Sequence, residues 1–138
     1  MVERTWLILL SAIILSLCGS AFAAEKDVEQ GKYITLEIAK CGTCHTPVNE
    51  KGEPIREKWM QGAKIPFKPI GKVTEWADWA PSLSGMRRWP EAVSIRLLMT
   101  GMGADGVTPP RPPMPRYHMN TADATAVLHY LRTLPPTE

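Results

Sequence analysis

Cys41-Gly42-Thr43-Cys44-His45 is the stretch on which this chain turns. Two cysteines separated by two residues and followed at once by histidine form the attachment signature of c-type haem. At this spacing each thiol can form a thioether with one vinyl group of a single porphyrin. The imidazole is then held beneath the same ring, within reach of its iron. Other uses of the two cysteines fit less well. A thioredoxin-like pair opens a helix after a strand in a βαβ pattern, whereas the residues before Cys41 read as helix and no parallel-strand pattern follows. A structural zinc site needs about four ligands, and only His118 and His129 remain, far downstream. A plain disulfide would leave His45 without a role.

The 138 residues suffice for one domain. The first 23 read as an export signal. Residues 6–17 are apolar apart from Ser11 and Ser16, and Ala21-Phe22-Ala23 fits a small-x-small cleavage site. Cutting after Ala23 would leave a domain over 24–138, with Cys41 and Cys44 as its cysteines. Cys18 would leave with the leader, since the bulky Leu17 before it does not suit a lipoprotein signal. The alternative is an uncleaved anchor facing the periplasm, although the run is short for a spanning helix, which takes ~20 residues. The net charge of +2 is small and no basic helix stands out, so nucleic acid is not an expected partner.

Residues 25–40 read as a first helix, with Gly31 inside it at a cost of ~1 kcal/mol against alanine. Such a glycine often marks the close approach of another backbone. Residues 47–72 are broken by Pro47, Gly52, Pro54, Gly62, Pro66, Pro69 and Gly71. A loop this long is uncommon in a compact domain unless it wraps something or carries function, and a haem would supply the missing apolar surface. Lys51, Arg56, Lys58, Lys64, Lys68 and Lys72 outnumber Glu50, Glu53 and Glu57 here. That excess suits either a solvated loop or a docking face for an acidic redox partner. Trp76, Trp79 and Trp89 are candidates for the core or the haem pocket.

Residues 90–100 read as a second helix, with Pro90 at its first position and Gly101 as its stop. Residues 101–116 form an irregular strap ending in Pro109-Pro110-Arg111-Pro112-Pro113-Met114-Pro115, where prolines hold the methionine on a stiff support. Residues 121–133 read as the last helix, capped by Asn120 or Thr121 and carrying Asp123 in its first turn. No strand pattern is evident. For a second iron ligand three residues are open: Met114, Met119 beside the helix cap, and His118.

Four pieces of the chain together resemble a family. Gly31-Lys32-Tyr33-Ile34 is similar to a G-x-Y-L element. Cys41 to Pro47 matches C-x-x-C-H-T-P. Pro81-Ser82-Leu83-Ser84-Gly85 is similar to P-x-L-x-G. Pro112-Pro113-Met114-Pro115, with Asp123 and Tyr130-Leu131-Arg132-Thr133-Leu134-Pro135-Pro136, is similar to P-P-M-P … D … Y-L-R-x-L-P-P. In this order the pieces resemble the class I c-type cytochromes, and more closely the bacterial monohaem domains that serve periplasmic dehydrogenases. Residues 59–79 follow no pattern that aligns, and the spacing from Gly31 to Cys41 is slightly long for the family.

The resemblance implies an all-α cytochrome c fold with long irregular loops, its first and last helices crossing beside the haem edge. Gly31 would allow the approach, and Tyr130 would pack there. It implies one covalent haem c per chain on Cys41 and Cys44, with His45 and Met114 as axial ligands. A thioether ligand favours ferrous iron, and two protein ligands leave no open site for substrate. The expected function is therefore one-electron transfer in the periplasm, from a dehydrogenase or other redox protein to a terminal oxidase or another cytochrome. The chain is not expected to be an enzyme itself, although it could be one subunit of a dehydrogenase. The alternative is a haem enzyme or gas sensor with an open sixth site and His118 as a distal group. No acid/base constellation supports that alternative.

Overall fold

The computed structural model of the chain describes residues 25–86 and 89–136. The leader expected over residues 1–23 lies outside them. Among the described residues no helix is long and apolar enough to cross a membrane.

Helix α1 is α-helical over residues 25–33 and continues as a π-helical turn over Ile34–Ile38. The Ala39 N–H reaches back five residues to the Ile34 carbonyl at 2.8 Å. A π turn takes up one residue more than an α turn, and this is where the extra length between Gly31 and Cys41 goes. A regular helix to residue 40 was expected. Instead it closes at Ala39, and Lys40 adopts φ 51° to turn the chain. The next turn is helix α2, Gly42–His45.

The stretch from 47 to 72 is irregular, as its prolines and glycines dictate, with a single 3-10 turn at Arg56–Lys58. Two short strands were not expected. Strand β1, Ala63–Lys64, pairs antiparallel with β2, Trp79–Ala80, in the register Ala63 to Ala80 and Lys64 to Trp79. Two residues are too few to show an alternating pattern in a sequence.

Helix α3 is Glu91–Thr100. Pro90 was expected inside it, but with ψ 147° it stands outside as the cap. Gly101 ends the helix in the left-handed conformation, φ 65°, and its N–H bonds the Leu97 carbonyl at 2.9 Å. Helix α4, Thr121–Thr133, begins at Asn120. The Asn120 side chain accepts from the Asp123 N–H at 2.9 Å and donates to the Asp123 carboxylate at 2.8 Å.

α1 crosses α4 at Gly31. A Cβ there would lie 1.8 Å from the Ala126 carbonyl oxygen, so only glycine allows the two backbones this close. Val127, Tyr130 and Leu131 of α4 form the centre of the core. Val28 and Ile34 of α1, Leu98 of α3 and Met119 pack around them. Each such side chain taken from water contributes roughly 1.5–3 kcal/mol. α4 is thus the spine, and α1 and α3 lean on it. The fold is all-α apart from the two-residue strand pair.

Candidate functional site

Cys41 is the N-cap of α2. Residues three and four apart share a helix face, so Cys41, Cys44 and His45 present their side chains together. The N–H groups of Cys44 and His45 close the turn onto the Cys41 carbonyl at 3.3 and 3.0 Å. Gly42 has no room for a side chain, because a Cβ would stand 2.7 Å from the ring of Trp59. The indole covers the back of the turn.

Cys41 and Cys44 are not joined to each other in a disulfide. Burial pushes Cys41 up to about 11 and raises Cys44 as well. Among the described residues no group of three or more His, Cys, Asp or Glu could hold a metal ion.

His45 is 5% exposed. Its Nδ1–H donates to the Pro81 carbonyl at 2.7 Å. That bond fixes the tautomer and leaves the Nε2 lone pair for a metal. Burial lowers the pKa of the ring, with the Pro81 bond acting weakly the other way, so the neutral imidazole is favoured. The backbone is held too: the His45 carbonyl accepts from the Gly62 N–H at 2.8 Å. Gly62 immediately precedes β1 and Pro81 immediately follows β2. Because Ala63 pairs with Ala80, Gly62 and Pro81 flank one end of the strand pair, which acts as a clamp on the backbone and the ring of one histidine. Gly62 sits at φ +85°, and a Cβ on it would meet Ser82 N at 2.8 Å.

Met114 is half-buried in a turn closed by its N–H onto the Arg111 carbonyl at 3.2 Å. This strap is tied to the segment before β2. The Pro112 carbonyl accepts from the Ala77 N–H at 2.7 Å. Arg111 donates through Nε to the Glu75 carbonyl and through Nη2 to the Trp76 carbonyl, both at 3.0 Å. Residues 77–81 thus run from the Met114 strap to the carbonyl that orients His45, a reach of at most ~13 Å when extended. The other two ligand candidates lie further along the chain. Met119 donates its N–H to the Leu98 carbonyl at 3.0 Å and packs against the core. His118 is exposed and lines a cleft of about 740 Å³ with Tyr33, Ile38 and Tyr117.

Of the three tryptophans expected in the core or pocket, Trp79 is 62% exposed and Trp89 is 36% exposed. Neither belongs to the packed protein core, whereas Trp76 is half-buried. Its Nε1 is buried without an acceptor, and its ring meets Phe67 edge-on. The six basic residues of the loop are all exposed, and Lys68 is ion-paired with Asp78. The sequence reading missed Gly62, Arg111, Tyr117 and the role of Pro81. Only Pro81 carried a signal, as the first residue of the P-x-L-x-G piece.

The donor set fits a covalently bound haem. Two thiols and an oriented imidazole share one turn, and Trp76 offers a buried N–H with no protein acceptor. A family model described as Cytochrome c matches residues 28–135. The chain is also similar to the fructose dehydrogenase cytochrome subunit of Gluconobacter japonicus, at 30% identity over 115 residues. That alignment covers 79% of this chain and 22% of the relative, so the chain spans about a fifth of the protein it matches.

Proposed function

We propose a function from one premise: the chain belongs to the cytochrome c family. Membership implies haem c and an electron-carrier role. The finer reading is a periplasmic one-electron carrier with one haem, attached through Cys41 and Cys44 and ligated by His45 and Met114. The haem iron supplies the redox chemistry. The protein's part is to hold it still. His45 offers Nε2 because Pro81 holds Nδ1–H, and the clamp at Gly62 and Pro81 keeps the ring from turning. Met114 offers a thioether from a strap anchored to the same segment. With His45 and Met114 both holding the haem, no site would be left open for substrate, which suits transfer over catalysis. The observation that carries this reading is the 2.7 Å bond from His45 Nδ1 to Pro81, because it aims a buried neutral imidazole from the same turn as both thiols.

The likeness to a dehydrogenase cytochrome subunit supports a dehydrogenase as electron donor. The acceptor is a terminal oxidase or another cytochrome. Export to the periplasm rests on the apolar leader over residues 1–23.

Mass spectrometry of the purified exported protein tests attachment. The expected result is residues 24–138 plus one haem, with colour retained through acid–organic extraction. A colourless chain with two free thiols would overturn covalent attachment.

A further inference from the structure

Met114 sits midway between two anchors. Three residues before it, Arg111 spans two carbonyls of the segment leading to β2, those of Glu75 and Trp76. Three residues after it, Tyr117 donates its hydroxyl to the Ala39 carbonyl at 3.0 Å. Ala39 is the residue whose N–H closes the π turn of α1, and it stands two residues before Cys41. The strap is therefore pinned on one side to the segment that reaches His45, and on the other to the loop that carries the first cysteine. Tyr117 is half-buried, and burial raises the pKa of its phenol. It stays a donor across the ordinary pH range. Beyond it the chain is pinned again, where Met119 N–H meets the Leu98 carbonyl.

We propose that Arg111 and Tyr117 are positioning residues that together set how firmly Met114 stays on the iron. Neither side chain is a ligand. Each removes freedom from the seven-residue span that any displacement of Met114 must move. A methionine held only by its own turn would leave whenever the span opens. One held at both ends leaves only after an anchor breaks. The inference rests on the reading of Met114 as the sixth ligand.

The test is competition by imidazole for the ferric iron of the holoprotein, followed by the Soret shift and by loss of the sulfur-to-iron charge-transfer band. Tyr117→Phe keeps the ring and removes one hydrogen bond. Arg111→Lys keeps the charge and removes the two-carbonyl grip. Each is expected to make imidazole bind about five-fold more tightly, the equivalent of one net hydrogen bond. The double variant should reach roughly 25-fold if the anchors act independently. Gln30→Ala is the control. It removes a 2.6 Å bond from α1 to Asp123 of α4 without touching the strap, so it should leave imidazole affinity unchanged. Unchanged affinity in both anchor variants overturns the proposal, as does an equal rise in Gln30→Ala. A wild-type protein without the sulfur-to-iron band overturns the Met114 reading itself, and the two failures are distinguishable.

Discussion

Gly31→Ala sets two forces of opposite sign against each other. In an isolated helix the exchange is favourable by ~1 kcal/mol, because alanine has less backbone entropy to lose. Here the new Cβ would stand 1.8 Å from Ala126 O, 2.3 Å from Ala126 C and 2.9 Å from Val127 N. All three are backbone atoms of α4, so no side chain can turn aside. Carbon–oxygen contacts close at about 3.3 Å, and α1 and α4 must part by roughly 1.5 Å at their crossing. Overpacking of this kind costs about 1–3 kcal/mol, with backbone clashes at the upper end. Parting the helices also loosens Val28 and Ile34 from Val127, Tyr130 and Leu131. The net expectation is a loss of about 2 kcal/mol or more, which for a domain of this size lowers Tm by about 8 °C or more. Guanidinium unfolding of the holoprotein, compared at matched m-values, measures it. Gly52→Ala is a useful contrast: φ is +80° and nothing lies within 4 Å, so it should lose only the roughly 1–2 kcal/mol of left-handed strain. A Gly31→Ala protein as stable as its parent, or more stable by the propensity term, would refute the helix-crossing argument.

Three further outcomes are expected. If the basic loop steers an acidic partner, Lys58→Glu with Lys64→Glu slows electron transfer about three- to ten-fold at low salt. The difference should fade once the Debye length falls well below ~10 Å; rates indifferent to both charge and salt would return these lysines to a solvated surface. Asp105 is held at about 2, first by the Thr108 hydroxyl and then by the N–H groups of Val107 and Thr108. Because its folded pKa is depressed, its contribution is present above an unfolded value near ~3.9 and is lost as pH falls toward the folded one. Protection of the Val107 and Thr108 amides, taken relative to their intrinsic exchange rates, should therefore fall across that window, and in Asp105→Asn it should lose this pH dependence. Gly62→Ala should release His45: its Cβ would meet the Ser82 N–H and Ala80 carbonyl at under 3 Å. Haem-containing yield should fall several-fold, and an unaffected yield would argue against the strand pair as a clamp.

The parts legible in the sequence share a property: each is written locally. C-x-x-C-H, the proline-rich strap and the capped last helix each declare themselves within a few residues. Gly31 was legible as a close approach because a glycine inside a helix asks for a reason. The parts that were not legible are contacts between segments far apart in the chain. The bond from His45 to Pro81 joins residues 36 apart, and that from Tyr117 to Ala39 joins residues 78 apart. A carbonyl acceptor carries no side-chain signature, so any residue type could have stood at either position. The strand pair escaped because two residues hold no period. The π turn left a trace only as a spacing that was slightly long. Trp79 and Trp89 stand outside the core because aromatic content says what a side chain could bury, not which way the backbone turns it.

The sulfur-to-iron charge-transfer band of the ferric protein, read in single alanine substitutions, tests the central claim most directly. His/Met ligation predicts the band in the wild type and in Met119→Ala, and its loss in Met114→Ala together with new carbon monoxide binding by the reduced form. A band that survives in Met114→Ala and vanishes in Met119→Ala would put the wrong methionine on the iron. A wild type that lacks the band and binds carbon monoxide readily would contradict the electron carrier and favour an open sixth site.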